Sequence, residues 1–181
     1  AMGEAITERD SLPVMTTLGV TTLISDSGVT RYRVNTEEWM MYDRKKPSYW
    51  AFEKGVYMEQ FDSIFNVEAS IKADTAYYYD KERLWKLIGN VDIQNRKGER
   101  FNTELLYWNE ATQRVYSAKF IRIQQPDRII TGHGFDSNQQ MTIYTIRNIE
   151  GIFYVDEEAS SGPPQPETKA LPDSVNKDAA K

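Results

Sequence analysis

Apolar and polar residues alternate with a period of two along much of the chain. Val67, Ala69, Ile71 and Ala73 are set against Glu68, Ser70, Lys72 and Asp74, the pattern of a strand with one face in a core and the other in water. Leu87, Gly89, Val91 and Ile93 repeat it against Asn90, Asp92 and Gln94. Asn95-Arg96-Lys97-Gly98 then forms a turn cluster, and Phe101, Thr103, Leu105 and Tyr107 mark a returning strand, so this stretch predicts a hairpin. Asp26-Ser27-Gly28 separates residues 18–25 from 29–34, Asn109-Glu110-Ala111-Thr112 separates 105–108 from 115–123, and Pro126-Asp127 precedes 128–131. Turn signals thus recur about every eight to twelve residues, the spacing of an all-β sandwich, roll or barrel.

Residues 76–87 also fit a helical face, with Ala76, Tyr77, Leu84 and Leu87 on one side. Two strands around an Asp80-Lys81-Glu82-Arg83 turn fit better, because a helical face would carry Asp80 in its middle and Tyr77-Tyr78-Tyr79 favours a sheet. A faint repeat of about 30 residues aligns Ala73-Asp74, Tyr78-Tyr79-Asp80 and Leu84 with Thr103-Glu104, Tyr107-Trp108-Asn109 and Val115. It is explained equally well by stacked hairpin units and by the general likeness of any two hairpins.

Composition sharpens this picture in a few places. The aromatic residues all lie between Tyr32 and Tyr154, and from Asp156 onward four prolines stand among Ser, Gly, Glu and Lys. The expected organisation is a loose segment over 1–15, one β domain over 16–155 and a disordered acidic tail over 156–181. The formal charge is -5. The tail holds six acids and three lysines, which leaves the domain nearly neutral. Short basic groups such as Arg44-Lys45-Lys46 do not make the patch a nucleic-acid partner requires. Cysteine is absent, which removes thiol chemistry and most structural zinc sites.

Catalytic signals are weak. His133 is the single histidine and lies in Gly132-His133-Gly134-Phe135, read here as a turn beside a strand, with the glycines serving a positive φ or a close approach. No phosphate-binding G-x-x-x-x-G-K-[ST] loop occurs, and scattered carboxylates such as Asp62, Asp92 and Glu104 show no pairing motif. The expectation is a chain that is not an enzyme and needs no cofactor. Inward positions such as Ile71, Leu87, Val91, Ile93, Leu105, Ile121 and Ile123 fit a packed core and an apolar binding groove equally well.

Ordered strings add what periodicity cannot. Phe52-Glu53-Lys54-Gly55-Val56, Gln60-Phe61-Asp62, Ala73-Asp74-Thr75-Ala76-Tyr77-Tyr78, Leu84-Trp85-Lys86-Leu87, Gly89-Asn90-Val91 and Ile130-Thr131-Gly132-His133-Gly134-Phe135 occur in that sequence, followed by Asp136-Ser137-Asn138, Met141-Thr142, Tyr144, Ile146 and Gly151. Together, from about Thr30 to Val155, they resemble the LptC family of lipopolysaccharide export, in a form similar to that of Bacteroides-type bacteria. LptA and the periplasmic part of LptD share the Ala-Asp and Gly-Asn-Val pattern. The LptC assignment is preferred because the pattern closes after one such unit.

The resemblance implies an open, twisted antiparallel β-jellyroll, V-shaped in section, in the periplasm. It implies transport of lipopolysaccharide received from the LptB, LptF and LptG transporter and passed to an LptA-like protein through an apolar groove. Ile71, Val91, Ile93, Phe101, Leu105, Ile121, Ile123 and Ile143 would contact the acyl chains of lipid A. Met141, Tyr144 and Ile146 would lie on the edge strand that pairs with that partner. Such proteins carry an inner-membrane anchor, which this sequence does not show. Its start, Ala1-Met2-Gly3, reads as a trimmed end, so an anchor ahead of it is expected to have been removed. The competing expectation is a carbohydrate-binding or adhesion β-sandwich with Trp39, Trp50 or Trp108 as exposed stacking platforms.

Overall fold

The computed structural model describes residues 10–26 and 28–155. The proposed acidic tail and residues 1–9 lie outside the described residues. The strands are β1 (Met15–Asp26), β2 (Val29–Tyr42), β3 (Tyr49–Phe52), β4 (Val56–Phe61), β5 (Val67–Ala73), β6 (Thr75–Tyr79), β7 (Leu84–Asn95), β8 (Arg100–Asn109), β9 (Arg114–Gln124), β10 (Arg128–Asn138) and β11 (Tyr144–Tyr154). All pairings are antiparallel. β1 occupies one edge of β2, and β3 and β4 share the other. β8 occupies one edge of β7, and β5 and β6 share the other. Each of these pairs therefore acts as one long strand broken in the middle, and the whole sheet is an up-and-down meander. Its outer edges, on β1 and β11, have no partner among the described strands. The fold is the open antiparallel β-jellyroll expected from the sequence.

From β3 to β10 a line of breaks crosses the sheet. Gly55 just precedes β4, and Asp74 divides β5 from β6; on β1, Gly19 (φ +61°) lies level with them, although the register against β2 runs unshifted past it. Gly89-Asn90 fall between Ile88↔Leu105 and Val91↔Thr103. Gly134 faces Ala118-Lys119 between Phe135↔Ser117 and His133↔Phe120. A bulge bends its strand and raises the local twist, so bulges at matching places on successive strands crease the sheet. The crease folds one half-sheet, containing β4 and β5, over the other, containing β3 and β6.

The core fills the space between the halves. Val34, Met58, Ile71, Val91, Ile93, Phe101, Ile121 and Ile123 come from the first half, and Phe52, Trp85, Leu87, Leu106, Trp108, Val115 and Phe135 from the second. Phe101 reaches across to Phe135 at 5.7 Å and to Tyr144 at 5.1 Å, and Tyr32 meets the edge of Trp108 at 4.9 Å. This face-to-face burial of apolar side chains is the main stabilising term, at about 25 cal/mol per Å² removed from water.

The crease also corrects one reading of the alternation. Phe101 and Thr103 face inward as expected, but on β8 the next inward residues are Leu106 and Trp108, while Leu105 and Tyr107 are only half-buried. The irregular step at Glu104 shifts the parity by one residue, and a one-residue shift moves every later side chain to the opposite face. Residues 76–87 form the two strands β6 and β7 rather than a helix. The repeat also has a structural basis: Asp74 and Glu104 both sit on the crease, and Arg83 (φ 52°) and Gln113 (φ 55°) end equivalent turns in the left-handed region.

The Ala-Asp and Gly-Asn-Val strings meet at the crease. The Asp74 N–H donates to the Gly89 carbonyl at 2.9 Å, and Asn90 Nδ2 donates to Asp74 Oδ2 at 2.7 Å. Gly89 has φ +81°, and a Cβ there would stand 2.9 Å from Asp74 Oδ2. Gly89→Ala therefore combines left-handed strain with a clash, and should cost about 2 kcal/mol in denaturant unfolding. In an Asp74→Ala background the same change should cost about half as much, because only the backbone strain remains. Equal costs in both backgrounds would mean that the carboxylate contact is not what excludes the side chain.

Candidate functional site

The margins of the two half-sheets, remote from the crease, form a mouth over the apolar interior. Beneath it, Ile71, Val91, Ile93, Phe101, Ile121 and Ile123 converge from neighbouring strands, none more than 8% exposed. Two of the expected groove positions do not join them. Leu105 was turned out by the parity shift, and Ile143, 76% exposed, belongs to the β10–β11 turn. Asn138 builds that turn by accepting the N–H groups of Thr142 and Ile143 on Oδ1 at 2.9 and 3.1 Å, and the Ile143 side chain is left in solvent.

Of the expected edge residues, Tyr144 and Ile146 do lie on β11, which is an edge strand, and both pack partly against the core. Met141 does not lie on that edge. It sits in the turn with φ 58° and is 1% exposed, because the left-handed backbone turns its side chain into the core.

One end of the mouth is clasped shut by polar groups that periodicity did not reveal. Glu99, on the β7–β8 turn, is 7% exposed. Its carboxylate accepts hydrogen bonds from Asn95 Nδ2 at 2.9 Å, Gln125 Nε2 at 3.0 Å and Tyr144 Oη at 2.6 Å. Asn95 Nδ2 also donates across the mouth to the Met141 carbonyl at 2.9 Å. Burial by itself would raise the Glu99 carboxyl, but the donors from Tyr144, Asn95 and Gln125 outweigh it and hold the group below its ordinary range. Burial, then the hydrogen bond to Glu99, pushes the Tyr144 phenol up to about 12, so it remains a donor at neutral pH. The sequence signal that existed was Asn95 ahead of a Lys-Gly turn: its Oδ1 accepts the N–H groups of Lys97 and Glu99, both at 3.0 Å.

The other end of the mouth is an open cleft of about 690 Å³ between the end of β4 and the β6–β7, β8–β9 and β10–β11 turns. Glu110 fixes its wall by accepting from Trp85 Nε1 at 3.0 Å and Tyr78 Oη at 3.2 Å, with Arg83 at 3.7 Å.

The remaining expectations fare unevenly. His133 lies inside β10 rather than in a turn, half-exposed beside Glu150. The strand can continue there because Gly132 lets the Asn148 carbonyl approach to 2.3 Å from where a Cβ would stand. The tryptophans are not exposed platforms. Trp108 is 3% exposed, and Trp39 and Trp50 pack on each other at 4.9 Å against the core. The indole N–H groups of Trp39 and Trp108 have no hydrogen-bond partner among the described residues. Among the described residues no helix is long and apolar enough to cross a membrane, and no group of three or more His, Asp or Glu side chains could hold a metal.

Residues 14–153 match the family model described as "Lipopolysaccharide-assembly, LptC-related". No curated protein matches the chain.

The clasp should show itself in acid. Because the folded-state carboxyl of Glu99 is depressed, its stabilisation is present above the ordinary value of 4.5 and is lost as the pH falls through the lower folded value. Thermal unfolding of Glu99→Gln between about pH 3 and 6 should accordingly decline less steeply toward acid than that of the parent. Parallel curves would remove Glu99 from the acid response. Tyr144→Phe should cost about 1–2 kcal/mol at neutral pH, since it leaves a buried carboxylate short of a donor.

Proposed function

This chain belongs to the LptC-related lipopolysaccharide-assembly family, and from that premise we propose that it shelters the acyl chains of lipopolysaccharide between its two half-sheets. The family acts as a periplasmic bridge in lipopolysaccharide transport. The observation that carries the finer reading is the convergence of Ile71, Val91, Ile93, Phe101, Ile121 and Ile123 on one interior bounded by two facing walls. Each methylene of an acyl chain exposed to water costs about 0.8 kcal/mol, and an amphiphile with several chains cannot cross an aqueous space without such a shelter. The interior is filled by its own side chains, so lipid entry requires the half-sheets to part about the crease, with acyl chains replacing contacts between Phe101, Phe135 and Tyr144.

The bare edge of β11 supports a second part of the proposal: lipid passes onward to an LptA-like partner that adds a strand there, with Tyr144 and Ile146 beside the junction. Supply from the LptB, LptF and LptG transporter, and attachment of the natural protein to the inner membrane by a segment ahead of the domain, complete the reading.

A photoreactive residue at Ile93 or Ile121, in cells exporting lipopolysaccharide, should yield lipopolysaccharide adducts. Adducts confined to outward neighbours such as Asp92 or Glu104 would contradict an interior route. A bulky charged residue at Ile146 should abolish capture of the LptA-like partner, and undiminished capture would move the junction elsewhere.

A further inference from the structure

The mouth is asymmetric, and the asymmetry bears on which way the amphiphile faces. The end toward β10 and β11 is tied by the Glu99, Asn95 and Tyr144 clasp, whereas the end toward β1 and β4 is an open cleft of about 690 Å³, within the range of about 300–1,000 Å³ that holds small ligands. The cleft's floor includes Ile24, Tyr32 and Tyr78, which are partly buried and pack directly on the core. Acyl chains entering there would pass from a polar rim to apolar side chains in a single step.

The rim chemistry selects the kind of head group. Arg31 and Arg83 are outnumbered by Asp62, Glu68 and Glu110, so the lining does not favour an anion. The three carboxylates are also already engaged. Asp62 accepts the N–H groups of Ile64 and Asn66 at 2.9 Å, Glu68 faces Arg96 at 3.7 Å, and Glu110 holds Trp85 and Tyr78. What remains available is a set of neutral amides: Gln60, Gln113, Gln139 and Gln140 line the cleft, and none makes a side-chain hydrogen bond among the described residues. Neutral amides that both donate and accept, placed beside tyrosine rings, match the hydroxyl pattern and apolar faces of a sugar.

We infer that this cleft is a saccharide-binding port, in which uncharged, hydroxyl-bearing sugars of the lipid's head group are held by the glutamine amides, its anionic groups staying in water, while its acyl chains insert past Tyr32 and Tyr78. The inference rests on the lipid-carrying reading and assigns the lipid an orientation. The Gln139→Ala, Gln140→Ala double variant changes only turn side chains that are partly exposed. It should bind a rough lipopolysaccharide that retains neutral core sugars about tenfold more weakly, as expected for two lost hydrogen bonds of ordinary strength, with palmitate binding unchanged. Photoreactive residues at Gln60 and Gln113 should form adducts with the same lipopolysaccharide, and one at the exposed Lys97, at the clasped end, should not. Unchanged affinity of the double variant, or adducts at Lys97 in place of the cleft positions, overturns the port while adducts at Ile93 keep the lipid-carrying reading intact. No adduct at Ile93 either overturns both.

Discussion

Everything in this molecule depends on a sheet that is creased across successive strands at matching positions. A flat meander of this length would expose one apolar face to water. The line through Gly55, Asp74, Gly89-Asn90, Glu104 and Gly134 lets that face fold onto itself, so that one sheet supplies both walls of its own core. Side chains from the two walls meet between them, with Phe101 against Phe135 and Tyr32 against Trp108. Apolar contacts are non-directional, and an apolar guest of similar volume can replace them at small net cost. That property makes the interior suited to housing lipid as well as to stabilising the fold.

The polar groups divide the labour around that interior. Within the crease, the Asp74, Gly89 and Asn90 contacts set the angle between the walls. At the mouth, Glu99 gathers three donors from three different parts of the chain and ties one end, and Glu110 holds Tyr78 and Trp85 at the margin of the other. Buried carboxylates with full sets of donors are directional and fail abruptly when one partner is lost, unlike the apolar packing between them. In the proposed route, opening would be controlled at the mouth and guided at the crease. The edges of β1 and β11, unpaired among the described residues, are the places where a partner strand could extend the sheet.

Much of the fold was legible in the sequence, because half-buried strands write their period directly into the residue order. The strands from Val67 to Ile93, the hairpin at Asn95 and the turn at residues 80–83 follow that pattern. The family strings were legible too, and Asp74, Gly89 and Asn90 turn out to be one contact at the crease rather than separate marks of a family. Periodicity failed where the crease intervened: a bulge shifts parity without any signal in the alternation itself, so Leu105 was assigned to the wrong face. It also failed in the β10–β11 turn, where Asn138 exposes Ile143 and a left-handed Met141 points inward. The clasp around Glu99 was invisible because its members, from residue 95 to 144, meet only once the sheet has folded over.

The central claim is that the two half-sheets part about the crease to admit lipid. Spin labels at Ser63 and Thr112 would stand on opposite margins of the mouth, both at exposed positions. Their separation, measured by pulsed electron paramagnetic resonance with and without saturating lipopolysaccharide, should lengthen on binding, and the Tyr144→Phe variant should reach the longer distance at lower lipid concentration. A distance distribution that is unchanged while lipopolysaccharide is demonstrably bound would contradict the account, because the lipid would then lie outside the interior.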